Sequence, residues 1–215
     1  MRRLRRSAGN GNATNVESPF LSQVRVETTV RETFEREAGK RKRAVGFKAD
    51  REIDSADTWM FTDGGSTGWT SLVVLRPGTD ARLVARSIRT ETRNVGAEVG
   101  ALVGALEAMV PGERVAIVTD FLWSIYYVLG WHDIQNELLR EQVAQARNLI
   151  EARRPESVRV IHVKGHLRDT TALGHWNDVA DRLCALRQPV DASLPVDALG
   201  APGSRPKLAA LLALA

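Results

Sequence analysis

From position 58 onward the apolar and polar residues fall into definite periods. "TWMFTDGGSTGWTSLVVL" (58–75) is two apolar runs parted by a short glycine-rich turn, and "ARLVARSIR" follows "RPGTD" as a third run. Strands are therefore predicted over 58–63, 69–76 and 81–89, joined by tight turns. In "NVGAEVGALVGALEAM" the apolar residues recur at three and four, which predicts a helix over 95–109. "ERVAIVTD" reads as a strand (113–120), followed by a short helix (122–130), a longer one (134–152), a strand in "VRVIHVKG" (158–165) and a last helix (175–187). Before this block, 1–22 is rich in Gly, Asn and Ser and reads as disordered, and 26–43 reads as a weak charged helix. After it comes a Pro-rich tail ending in a short apolar helix. No internal repeat is present.

The order β-β-β-α-β-α-α-β-α has a topological consequence. Three strands joined by tight turns pair antiparallel, and strands alternating with helices need parallel crossovers. The expected fold is α/β: a mixed five-stranded sheet, three antiparallel strands and then parallel ones, flanked by helices. The expected domains are a basic, partly disordered N-terminal extension (1–57), a regular α/β domain (58–188) and the C-terminal tail (189–215).

Four carboxylates sit oddly in this pattern. Asp63 and Asp120 each end an apolar strand, at the C-terminal edge where open α/β sheets place ligands. Glu98 shares a helical stripe with Val95, Leu102 and Ala105, where a charge is costly unless paired or bound to a cation. Asp181 lies on the last helix, with Asn177 one turn before it and Cys184 one turn after. Taken singly, a strand-end aspartate is usually a turn or helix cap. Together they form a hard, oxygen-rich set suited to Mg²⁺ or Mn²⁺, two ions of which could serve phosphodiester hydrolysis.

Composition narrows the class. The only cysteine is Cys184, which excludes a disulfide framework and a cysteine zinc site and fits a reducing compartment. No apolar run reaches the ~20 residues of a membrane span, so no membrane partner is expected. The net charge of +4 lies wholly in 1–57, which holds 13 basic and 9 acidic residues, chiefly in "MRRLRR" and "KRKR" (40–43). That segment is a candidate for binding phosphate backbones; the bland alternative is a solvated arm. The start is Arg-rich and free of acids until Glu17, a composition shared with mitochondrial transit peptides, although a cytoplasmic monomer is the first expectation.

"FTDGGSTG", "NVGAEVGALVGALEAM", "VTDFLWSIYYVLGW" and "VKGHLRDTTALGHWNDVADRLCAL" resemble the successive motifs of type 1 ribonuclease H, over roughly 58–187. The resemblance implies an endonuclease that cuts the RNA strand of an RNA–DNA hybrid and leaves a 5′-phosphate, using two Mg²⁺ (or Mn²⁺) ions. It implies that Asp63, Glu98, Asp120 and Asp181 bind metal. Asp178 is a rival for the last position, and the N-x-x-x-D spacing from Asn177 selects Asp181. It places the mobile histidine, which assists proton transfer or product release, on His166. Substrate contacts would fall on Gly64, Gly65, Ser66, Asn94, Lys164 and Asn177. His162 is expected to be structural, and His132 and His175 to lie on the surface, His175 close enough to approach the site.

The chain also departs from that family. The turn after Asp63 is short, Phe121 and Leu122 stand where many members have a Ser and another polar residue, these and the following Trp123 are expected to pack rather than stack on bases, the Lys/Trp-rich handle is missing, and the loop after His166 is long. Two other readings share the fold: a nucleic-acid-binding protein with little activity, and another nuclease of the superfamily such as a transposase, integrase or junction resolvase.

Overall fold

The computed structural model describes residues 21, 24–28, 30–37, 40–47, 56–88, 94–163, 165 and 171–200, with the backbone alone over 28–47. The expectations for residues 1–20, for the C-terminal apolar helix and for Lys164 and His166 lie outside the described residues.

The elements in chain order are β1 (Val24–Thr28), β2 (Val30–Glu37), β3 (Lys40–Phe47), β4 (Thr58–Gly64), β5 (Trp69–Leu75), β6 (Ala81–Ser87), α1 (Asn94–Ala108), β7 (Arg114–Thr119), α2 (Trp123–Val128), α3 (Glu137–Arg153), β8 (Ser157–His162), α4 (Ala172–Ala185) and β9 (Val190–Leu194), closed by a 3-10 turn at Val196–Leu199. The main sheet runs β1-β8-β7-β4-β5-β6-β9. β4, β5, β6 and β9 pair antiparallel, while β4, β7, β8 and β1 pair parallel. The mixed α/β sheet is as expected.

Its strand count is not: seven strands replace five. Both extra strands come from segments read as something else. The charged helix expected over 26–43 is instead β1 and the antiparallel hairpin β2–β3. β-branched Val24, Val26, Thr28, Val30 and Thr33 favour extended backbone, and β1 gains a ladder along β8 from Val24↔Val158 to Thr28↔His162. Part of the Pro-rich tail is β9, an edge strand that tolerates its flanking prolines because Pro189 and Pro195 lie outside the ladder.

Strand alternation divides the core into two layers. Met60, Leu72, Val74, Val115, Ile117, Val158 and Val160 pack with Val99, Leu102 and Leu106 of α1 and with α2 and α3. Trp59, Phe61, Val73, Ala116 and Val118 pack on the other face with Val179, Ala180 and Leu183 of α4. Asn136 caps α3, its Oδ1 accepting the Leu139 N–H at 2.9 Å, and Thr171 caps α4 through the Gly174 N–H at 3.1 Å. Arg147 of α3 donates to the Val128 carbonyl at 2.7 Å and so holds the end of α2.

Candidate active site

The β4–β7 ladder is in register, Thr62 opposite Thr119, so the next residues on each strand, Asp63 and Asp120, stand side by side where the ladder stops. By alternation both belong to the face covered by α4. Glu98 arrives from the opposite face, on α1, whose backbone rides directly over the end of β4. That approach depends on Gly64: a Cβ there would overlap Ala97 and Glu98, with Glu98 Cα only 2.6 Å away. The result is a compact carboxylate group in which ligand atoms of Asp63, Glu98 and Asp120 all lie within 4.8 Å of one another.

The electrostatics of this group are unfavourable without a cation. Asp63 is 8% exposed and Glu98 5%. Burial, and then the nearby charges of Asp63, Asp120 and Asp181, raise the Glu98 pKa from 4.5 to about 10, against the Gly64 N–H that stabilises its carboxylate. Glu98 Oε2 is buried with no hydrogen-bond partner. A hard divalent cation would satisfy that oxygen and neutralise the three carboxylates together, so the donor set fits Mg²⁺ or Mn²⁺.

The residue pattern over these elements decides the family: the RNase H model matches residues 55–187. The chain belongs to the RNase H family. No curated protein matches it. Among solved structures it is similar to RNase H1 from the halophilic archaeon Halobacterium salinarum NRC-1, at 20% identity and TM-score 0.41, over 50% of this chain and 86% of that one. It is similar to the N-terminal RNase H domain of rv2228c from Mycobacterium tuberculosis, at 19% identity and TM-score 0.42, over 60% and 95%. LC11-RNase H1, solved in complex with an RNA/DNA hybrid, is 20% identical with TM-score 0.47, over 60% and 94%.

The other described candidates of this ribonuclease H domain sit on α4, on the turn after β4 and at the start of α1. Asp181 is half-buried on α4 and close enough to act on Glu98, though it is not one of the three that converge. Its rival Asp178 is bound to Arg182, Nε to Oδ2 at 2.9 Å. Asn177, one turn before Asp181, is buried, and its Oδ1 has no hydrogen-bond partner. Gly65 and the exposed Ser66 form the turn after β4, closed by the Gly65 N–H donating to the Trp69 carbonyl at 2.8 Å. Asn94 is exposed at the first residue of α1.

Gly165 faces the site as well. A Cβ at this position would strike the Asp120 carboxylate, with Cγ at 2.9 Å, so glycine lets the chain after β8 close over Asp120. His162 has the structural place expected of it. Its Nε2 is 3.2 Å from the Asp120 carbonyl oxygen, and burial lowers its pKa.

Three observations differ from the sequence reading. His175 is not on the surface; it is 2% exposed and its ring lies 5.2 Å from that of Trp176. α4 starts at Ala172, three residues before this histidine, so His175 falls on the inward face. Trp123 does not pack inside. It is 48% exposed, its ring centroid is 4.3 Å from that of His132, and Tyr126, Tyr127 and Trp131 extend an aromatic cluster just beyond Asp120. Cys184, placed from sequence one turn after Asp181 but given no role there, touches the site. Its thiol hydrogen-bonds the Asp63 carboxylate and lies 3.3 Å from the Trp69 carbonyl oxygen, while burial and the Asp63 charge push its pKa up.

Proposed function

We propose that this RNase H domain hydrolyses the RNA strand of RNA–DNA hybrids with the help of divalent cations held by Asp63, Glu98 and Asp120, with Asp181 at the border. The observation that carries this reading is the convergence of three carboxylates around the unpartnered Glu98 Oε2. Two Mg²⁺ or Mn²⁺ ions bound there would supply an activated water and stabilise the leaving 3′-oxygen, giving a 5′-phosphate on the downstream piece.

The chain's own groups have separate tasks. Gly64 admits α1 and so delivers Glu98 to the strand end. The Cys184 thiol and the Gly64 N–H orient Asp63 and Glu98, respectively. His162 fixes the backbone at Asp120. The turn at Gly65 and Ser66, Asn94, Asn177 and Lys164 are proposed to contact the hybrid, and His166 to move a proton or assist product release.

The test is cleavage of a labelled hybrid with Mg²⁺ or Mn²⁺, beside Asp120→Asn and a matched DNA duplex. Metal-dependent cutting of the RNA strand alone, lost in the variant, is expected. Absence of cutting with either ion by folded protein would overturn the reading.

A further inference from the structure

Two large aromatic side chains stand in solvent close to the strand-end carboxylates. Trp123 is 48% exposed and Trp131 60%, whereas Trp59 and Trp176 are buried in the core. The exposed pair is joined through Tyr126, whose ring centroid lies 6.2 Å from that of Trp123 and 5.0 Å from that of Trp131. His132 lies against Trp123, centroids 4.3 Å apart and planes at 33°, so one side of that indole is covered by a ring while half of the residue stays in water. Single exposed apolar residues are ordinary, but a contiguous aromatic surface marks a binding site.

The chain itself fixes where this surface is. Trp123 is the third residue after Asp120, and at 3.8 Å for each step their Cα atoms are no more than about 11 Å apart. The steps between are held. The Phe121 N–H donates to Thr119 Oγ1 at 3.1 Å, and Ser124 Oγ donates to the Phe121 carbonyl at 2.8 Å. The far end is held as well, by the Trp131 N–H donating to the Tyr126 carbonyl at 2.9 Å and by Arg147 donating to the Val128 and Tyr127 carbonyls at 2.7 and 3.3 Å. Rings on so firm a backbone are in place before a ligand arrives, which lowers the ordering cost of binding.

Positive charge borders the rings. Tyr127, His132, Arg140 and Arg147 line a cavity of about 360 Å³ beside the cluster, with Asp133 as the acid of its lining. Arg140 donates to the Ile134 and Gln135 carbonyls at 3.4 Å, and Arg147 to carbonyls of α2, so backbone oxygens and not carboxylates hold both guanidiniums. Among the described residues neither is in an ion pair. Aromatic rings beside uncompensated arginines suit a strand that offers bases to stack and phosphates to bind. In a duplex the faces of the bases are taken by their neighbours, so the bases that these indoles can stack on are unpaired ones.

We propose that this aromatic surface binds a single-stranded stretch of nucleic acid leading out of the hybrid, its bases on Trp123 and Trp131 and its phosphates toward Arg140 and Arg147. The duplex part of that ligand rests on the proposed function; the single-stranded part does not. The domain would then favour hybrids that end in an unpaired tail over blunt ones.

The experiment measures binding of labelled oligonucleotides to the full chain in EDTA, and cleavage alongside in Mg²⁺ or Mn²⁺. The ligands are a blunt hybrid and the same hybrid with a tail of about ten unpaired nucleotides, of DNA in one arm and of RNA in the other. A tailed hybrid is expected to bind at least about fivefold more tightly than the blunt one, and Trp123→Ala/Trp131→Ala to bring the two to equality. Trp123→Phe/Trp131→Phe should keep most of the advantage. Val110→Ala, at an exposed apolar residue before the start of β7 and so at the other end of the sheet, should keep all of it. Equal binding of tailed and blunt hybrids, or an advantage that survives the loss of both indoles, would overturn the proposal. So would self-association that needs the tryptophans without any tail preference, which would assign the surface to a second copy of the chain. A tryptophan-dependent tail preference in a protein that cleaves no hybrid would keep this inference and remove the proposed function; cleavage of the RNA strand with no tail preference would do the reverse.

Discussion

Glu98→Gln tests the central electrostatic claim without relying on catalysis. Between pH 4.5 and about 10 the native, metal-free protein keeps a proton on Glu98 that the unfolded chain has released. Its stability must therefore fall as pH rises through that window, by about 1.4 kcal/mol per pH unit for this group. From pH 4.5 to about 7 the loss is about 3 kcal/mol. Glutamine is nearly isosteric and does not titrate, and its amide can donate to Asp63 or Asp120. Relative to wild type, then, the variant should gain about 3 kcal/mol over the same interval in EDTA. With a urea slope of about 2 kcal/mol per molar, the unfolding midpoints should separate by about 1.5 M on going from about pH 4.5 to 7. Saturating Mg²⁺ or Mn²⁺ should then stabilise wild type and leave the variant almost unmoved. A midpoint difference that is constant with pH would refute the buried, charge-crowded carboxyl, and a variant stabilised by metal as much as wild type would refute Glu98 as a ligand.

The other consequences concern neighbours of that group. Gly64→Ala must push α1 off the end of β4, which should cost about 1–3 kcal/mol in chemical denaturation and abolish metal-induced stabilisation, because Glu98 travels with the helix. Cys184→Ala removes a hydrogen bond to Asp63 and should weaken metal-induced thermal stabilisation by about three- to tenfold in apparent Kd, with Cys184→Ser restoring most of it. Val26→Asp places a charge against the core under β1 and should cost about 2 kcal/mol or more, whereas Glu27→Ala, which breaks a half-exposed ion pair, should cost about 1 kcal/mol or less.

What was legible in the sequence is what local period controls. The strands around 58–87 and α1 show their alternation or their three-and-four spacing openly, and the strand-end positions of Asp63 and Asp120 follow from where the apolar runs stop. Elements that owe their state to a distant partner were not legible. β1 has an alternating "VRVET", but nothing local announces β8, more than a hundred residues away, as its partner, and the charges that follow read as a solvated helix. β9 lies between two prolines and is extended because β6 supplies its hydrogen bonds. His175 was misplaced by an error of three residues in the start of α4, enough to turn its side of the helix from outside to inside. The role of Cys184 was hidden for another reason: its thiol reaches the turn after Asp63 because Gly65 leaves room there, a Cβ at that position standing 3.2 Å from Sγ.

The position of the carboxylate group at the strand ends is a geometric necessity of this fold. α1 and α4 cover opposite faces of the sheet, and the body of the sheet separates their side chains by two core layers. Carboxylates from both helices can meet only beyond the last rung of the ladder. Asp63 and Asp120 are the first residues past the rung at Thr62 and Thr119, and they bring the strands' own charges to the same place. Gly64 then removes the one side chain that would keep α1 away, and Gly165 removes the one that would keep the β8 turn away. In each case the missing Cβ lets a part of the site come close, the α1 backbone at Gly64 and the Asp120 carboxylate at Gly165. The same geometry makes the group a tie between the two layers. Without a cation the group is held together by a proton kept on Glu98, at a cost to stability that grows as pH rises. With one bound, Glu98 of α1 and the aspartates on the α4 face share a partner. Metal binding should therefore slow hydrogen exchange most in the first turns of α1 and around Asp181 in α4, with less change in β6 and β9, which lie on the far side of β5.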